Sequence, residues 1–222
     1  MPQELESIVF DFDYTLADSS VPVIDCVNYA LGKLGLPAAP PEAVRRTIGL
    51  TLPETLRALA GEDNLDRAGK FYDLFVERSD EVMLDGTVLL ESVPEVVREL
   101  RHGARLGIVS SKYRSRIETI LRRERLLDAF GAIVGGEDVP VLKPDPTGLR
   151  QALEMLGSPP ERSLYVGDSV TDAETARRAG VPFVAVLSGV TTRSGLAAYP
   201  AVAILDDITG LQDFVNGTGA KT

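Results

Sequence analysis

Short apolar runs separated by amphipathic stretches recur along most of the chain. Ile8-Val9-Phe10, Leu106–Val109, Ala132–Val134, Leu164–Val166 and Phe183–Val186 are such runs, and Ala203–Leu205 is a weaker sixth. They do not alternate with polar residues, so they predict strands covered on both faces. Val93–Arg101, Arg114–Arg125, Thr147–Leu156 and Thr171–Ala179 lie between them as amphipathic helices. Strand and helix in turn predict an α/β fold with a doubly wound, Rossmann-like parallel sheet. Ligands of such sheets bind beyond the carboxyl ends of the strands.

One interval breaks the rhythm. The first strand ends at Phe10 and the next begins at Leu106, far more than the roughly 30 residues a βαβ unit needs. The surplus reads as helices. Asp18, Ser19 or Ser20 caps Val21–Leu34, with Pro22 in the first turn. Pro41-Glu42 opens a short helix to Thr47, Pro53-Glu54 opens another to Ala60, and Asp66–Val82 predicts a longer one. Residues 17–84 are therefore expected to form an inserted all-helical cap domain, and residues 1–16 and 85–222 the α/β core. Asp206-Asp207 is read as capping the last helix and Asn216–Thr222 as a loose tail.

Composition narrows the function classes. The 222 residues are 44% hydrophobic and 25% charged, ordinary for a globular protein. A net charge of −10 gives no broad electrostatic claim on nucleic acid or an anionic membrane. Cys26 is the only cysteine, which excludes internal disulfides and cysteine-built zinc sites. No run approaches the roughly 18 apolar residues of a membrane span, and the first residues are not those of a signal peptide. A cytoplasmic protein is expected.

The chemistry follows the strands. After the first comes Asp11-Phe12-Asp13-Tyr14-Thr15-Leu16, and after the second Ser110-Ser111-Lys112. Lys143-Pro144-Asp145-Pro146 lies in the loop beyond the third, and Gly167-Asp168-Ser169-Val170-Thr171-Asp172 beyond the fourth. Carboxylates gathered along one sheet edge repel one another unless a divalent cation sits among them, and oxygen-only ligands favour Mg²⁺. A hydroxyl and an ammonium opposite them suit the other oxygens of a phosphoryl group, and strand-to-helix turns add backbone N–H groups. The pattern predicts a phosphoryl-transfer site.

These four segments, in this order and spanning nearly the whole chain, resemble the haloacid dehalogenase-like hydrolases, in the phosphoglycolate phosphatase-like group with a helical cap after the first strand. The resemblance implies Asp11 as nucleophile and Asp13 as general acid and then base. It implies Ser110 and Lys143 on phosphate oxygens, and Thr15, Ser111 and Lys112 on the substrate side. Asp11, the backbone carbonyl of Asp13, and Asp168 are implied ligands of Mg²⁺, with Asp172 as a ligand or its neighbour. Tyr14 departs from the glycine usual there, and Ser111 from the asparagine that often follows the serine. In the cap, Arg45-Arg46-Thr47-Ile48-Gly49 resembles the stretch that faces the active site, and Arg45 is the cation taken to meet the substrate.

Singly, each element has a plainer explanation. Asp-x-Asp is common in turns, and Gly-Asp-Ser is a good helix cap; the ordered set is the signal. His102-Gly103 reads as a helix C-terminus and Cys26 as a small buried group. Arg114 and Arg116 read as a solvated basic face. Asp13 argues against a dehalogenase, which needs no acid for a leaving alkoxide. Lys33 and Lys70 are poor Schiff-base candidates for a phosphonoacetaldehyde hydrolase, and residues 17–24 lack the histidine of a β-phosphoglucomutase. A phosphoacceptor receiver lacks the large insert. The expectation is a Mg²⁺-dependent phosphatase acting on a small phosphorylated metabolite, as monomer or homodimer, with an inorganic pyrophosphatase or an inactive phosphate-binding scaffold as the alternatives.

Overall fold

The structure is a computed structural model and describes residues 5–217. Its strands are β1 (Ser7–Phe10), β2 (Ala17–Asp18), β3 (Val88–Leu89), β4 (Arg105–Val109), β5 (Phe130–Val134), β6 (Ser163–Gly167), β7 (Phe183–Val186) and β8 (Ala201–Leu205). Its helices are α1 (Ser20–Lys33), α2 (Pro41–Arg45), α3 (Leu52–Ala60), α4 (Ala68–Gly86), α5 (Val93–Leu100), α6 (Arg114–Arg123), α7 (Thr147–Leu156), α8 (Val170–Ala179), α9 (Arg193–Leu196) and α10 (Leu211–Asn216). Contacts divide the chain into two compact units, Met1–Ala17 with Leu89–Thr222, and Asp18–Val88. The chain passes between them at β2 and β3, which pair as a two-stranded sheet.

The first unit is built on a six-stranded parallel sheet in the order β5-β4-β1-β6-β7-β8. Alternation along each strand sorts its side chains between two cores. Ile8, Phe10, Ile108, Leu164, Val166 and Val184 face α5, α6 and the α10 end, whereas Val9, Val109, Tyr165 and Phe183 face α7, α8 and α9. Gly157 and Gly180 close α7 and α8 in left-handed conformations that other residues adopt at a cost. Phe10 lies level with both Ile108 and Val166, so the residues that follow β1, β4 and β6 leave the sheet side by side.

The second unit packs α1 against α4, with Val27, Ala30, Leu31, Phe71 and Leu74 buried alongside Val44 of α2 and Leu56 of α3. Pro22 is so close to Gly86 that a Cβ there would meet it at 3.0 Å. Cys26 is buried in α1.

Several boundaries differ from the sequence reading for local reasons. Helix α3 begins at Leu52, because Thr51 and Glu54 form a capping box that the pattern did not reveal. A 3₁₀ stretch, Glu62–Arg67, precedes α4, which runs on to Gly86. For α1, Asp18 accepts from the Ser20 N–H at 2.7 Å while Ser19 makes no capping bond. Gly103 does not cap α5; that helix ends with Arg101 in a right-handed conformation. Asp207 caps the 3₁₀ turn Ile208–Gly210 that leads into α10, whereas Asp206 pairs with Arg193 at 3.0 Å. Asn216, assigned to a loose tail, is the last residue of α10, and the tail from 218 onward lies outside the described residues. Among the described residues, no helix is long and apolar enough to cross a membrane.

Candidate active site

The carboxyl ends of β1 and β6 supply the acids. Asp11, directly after β1, and Asp168, directly after β6, are both buried, and Asp172 is wholly buried on the first turn of α8. One oxygen of each lies within 4.8 Å of the others. Asp172 is held by its own helix start: Ser169 N–H donates to Asp172 Oδ2 at 3.1 Å and Ser169 O–H to the same oxygen at 2.5 Å. This capping box fixes a carboxylate that would otherwise turn away from two like charges.

Lys143, from the loop before α7, meets this group with its ammonium 2.8 Å from Asp11 Oδ1 and 2.7 Å from Asp172 Oδ1. The peptide that follows it, Lys143-Pro144, is cis. Burial alone would weaken the Lys143 charge, but attraction to Asp11 and Asp172 outweighs this and holds the ammonium well above the ordinary lysine range. Burial, with Asp172 and Asp13 nearby, pushes the Asp11 carboxyl up to about 7 in spite of Lys143. Burial, then Asp172 and Asp11, raises Asp168 well above the carboxylate range. With three carboxylates ionised and one ammonium, the cluster carries two uncompensated negative charges.

The other predicted residues have the following partners. Thr15 O–H donates to Asp168 Oδ1 at 3.2 Å. Asp13 Oδ1 pairs with Lys112 Nζ at 3.3 Å, and little of either side chain is exposed. Ser110 is buried at the end of β4, and its Oγ accepts from Lys112 N–H at 3.3 Å. Ser111 is half-buried beside Gly136, whose missing Cβ would meet the Ser111 carbonyl at 2.5 Å. Arg114 is engaged locally, 2.9 Å from Asp138 and 3.3 Å from Glu118, and Arg116 lies over the Tyr113 ring. Arg45 belongs to the helical unit, where it donates to Ser20 Oγ at 2.5 Å and lies 3.5 Å from Glu42.

Tyr14 is left-handed, with φ 61°. A residue with a Cβ pays roughly 1–2 kcal/mol for that conformation, so a glycine would hold this turn more easily. The turn is fixed on both sides: Tyr14 N–H donates to the Ala17 carbonyl at 2.7 Å, and Ser188 O–H donates to the Tyr14 carbonyl at 2.5 Å.

Ser188, Gly189 and Tyr165 escaped the sequence reading, and Gly167 entered it only as part of a motif. Ser188 and Gly189 follow β7, and a Cβ on Gly189 would lie 1.9 Å from Asp168 Oδ2. Gly167 is under the same constraint, its missing Cβ 2.5 Å from Asp172 Cγ. Tyr165 is fully buried in β6, and its hydroxyl reaches Asp172 Oδ1 at 3.0 Å, with Lys143 Nζ and the Val109 carbonyl each at 3.3 Å. A polar tip inside the apolar run Leu164–Val166, two residues before Gly167-Asp168, was the available signal.

The donors suit a divalent cation. All are oxygens, and with its three carboxylates ionised the cluster lacks two positive charges.

The profile of the haloacid dehalogenase-like hydrolases matches residues 8–186. The chain belongs to that family. A protein described as a haloacid dehalogenase-like hydrolase from Bacteroides fragilis is 40% identical, with a TM-score of 0.89 over 94% of this chain and 100% of that one. The phosphoglycolate phosphatase of Pseudomonas syringae pv. syringae is 33% identical over 92% of this chain and 77% of its own length. That of Rhodobacter capsulatus is 30% identical over 95% and 97%. The protein is a phosphatase-type hydrolase of this family, similar over most of its length to phosphoglycolate phosphatases.

Proposed function

We propose that the protein is a Mg²⁺-dependent phosphatase that hydrolyses a small phosphomonoester through an aspartyl-phosphate intermediate, with phosphoglycolate as the expected substrate. One observation carries the reading: Asp11, Asp168 and Asp172 lie buried together with Lys143 as the ammonium between them. Such a cluster costs folding free energy, because burying uncompensated charge is expensive. A purely structural role would not call for it.

Asp11 attacks phosphorus, and the bond to the leaving oxygen breaks as Asp13 protonates that oxygen. Asp13 then takes a proton from the water that attacks the aspartyl phosphate, releasing phosphate and restoring Asp11. Ser110 and Lys143 hold phosphoryl oxygens, with Ser111 and Lys112 on the substrate side, while Thr15 keeps Asp168 in place. Asp11, Asp168 and Asp172, with the Asp13 backbone carbonyl, would hold Mg²⁺, which supplies the positive charge that the cluster lacks and that the phosphoryl group needs. Residues 17–84 serve as a cap that limits the substrate to small molecules, with Arg45 reaching a second anionic group.

Turnover against phosphoglycolate, pyrophosphate, sugar phosphates, nucleotides and a folded phosphoprotein, each with and without EDTA, tests the proposal. Metal-dependent preference for phosphoglycolate supports it. Preference for pyrophosphate moves the assignment to a pyrophosphatase. Activity that survives exhaustive EDTA treatment removes the metal, and efficient hydrolysis of the phosphoprotein removes the cap as a size filter.

A further inference from the structure

The β6 strand needs only an apolar side chain at position 165, where the ring packs among Val9, Val109 and Phe183 on one face of the sheet. Phenylalanine would fill the same space. The hydroxyl is the addition, and burying one without partners is costly. Here it has three partners from three elements: Asp172 on α8, Lys143 on the loop before α7, and the Val109 carbonyl at the end of β4. Its oxygen accepts from Lys143, and its proton goes to Asp172 or Val109.

The Lys143 ammonium has three N–H groups and a flexible four-carbon stem. Two of them are directed by hydrogen bonds, to Asp172 Oδ1 and to the Tyr165 oxygen. The third faces Asp11, whose Oδ1 lies 2.8 Å from the ammonium nitrogen. A single tether to Asp172 would let the ammonium swing on its stem. A second tether, set apart from the first, fixes its direction.

We propose that Tyr165 is a positioning residue, whose hydroxyl, with Asp172, aims the Lys143 ammonium at Asp11. Without the phenol, the ammonium loses one of its fixed directions and meets Asp11 in more than one orientation. The inference rests on the proposed role of Asp11 and Lys143 in phosphoryl transfer. Because the phenol acts on the shared chemistry and on no part of the leaving group, its loss affects all substrates alike.

The test is Tyr165→Phe in the full-length protein, by steady-state kinetics on phosphoglycolate and on p-nitrophenyl phosphate and by ¹⁵N NMR of the Lys143 ammonium. Loss of a hydrogen bond to a charged group predicts a fall in kcat of about ten- to a hundredfold. The fall is the same for both substrates, with KM changed less than twofold. The ammonium protons exchange slowly with water in the wild type and faster in the variant. A merely structural hydroxyl would lower the melting temperature and leave kcat and its ratio to KM unmoved, which would overturn the proposal. So would a rise confined to KM, or wild-type ammonium protons that exchange as fast as those of an exposed lysine. The wild-type NMR measurement decides even where Tyr165→Phe does not fold. It also needs no turnover, so a protein inactive on every phosphomonoester would defeat the proposed function and still leave this inference to be read.

Discussion

Gly189→Ala adds one methyl group to a loop that no motif marks. The new Cβ would lie 1.9 Å from Asp168 Oδ2, 2.6 Å from its Cγ and 3.0 Å from its Cβ. Ordinary contact needs about 3.4 Å or more, so the carboxylate or the loop must move by more than an ångström. Asp168 has little freedom to yield, being buried and bonded through Oδ1 to Thr15. The loop is also restrained, since the neighbouring Ser188 hydroxyl is bonded to the Tyr14 carbonyl. Overpacking of this kind costs about 1–3 kcal/mol, and disturbing the supports of a metal ligand lowers affinity by roughly 10–100-fold. Thermal unfolding and a Mg²⁺ titration of turnover measure the two effects. Gly32→Ala is the control: a Cβ there meets nothing within 4 Å, inside helix α1, so a gain of about 0.5–1 kcal/mol is expected. A Gly189→Ala protein with wild-type turnover and half-saturating Mg²⁺ would refute the reasoning, because Asp168 would then be neither crowded nor required.

Three further outcomes follow from the same cluster and from the helical unit. Asp11→Asn is expected to lose several orders of magnitude in turnover yet to melt at or above the wild-type temperature, since one buried negative charge is gone; more than a few per cent residual activity in a folded variant excludes Asp11 as nucleophile. Asp11 binds its proton more tightly folded, at about 7, than at the ordinary 3.8; the metal-free protein should therefore lose stability as pH rises from about 4 to 7. Asp168, also raised, acts in the same direction, so Mg²⁺ should raise the melting temperature more at pH 7.5 than at pH 5, and equal shifts at both would contradict the linkage. Arg45→Ala should raise KM for phosphoglycolate far more than for p-nitrophenyl phosphate, which has no carboxylate; equal effects return Arg45 to its local bonds with Ser20 and Glu42.

By itself the sequence determined the alternation of buried strands and helices, because non-alternating apolar runs and amphipathic stretches report burial directly. It also determined the order of the acidic and basic segments, each at a strand end where a parallel sheet must present it. Asp11, Asp168, Asp172 and Lys143 were legible for that reason. Tyr165 read as one more core aromatic and Gly189 as one more loop glycine, because their meaning lies in contacts rather than in local pattern. Only the tertiary structure decided them. The pairing of Lys112 with Asp13, of Ser188 with the Tyr14 carbonyl and of Tyr165 with Lys143 joins segments far apart in the chain. Strand order, register and loop path set such distances, and periodicity carries no record of them. The same holds for the angle at which Lys143 meets Asp11, which a charge pattern names and only packed neighbours can fix.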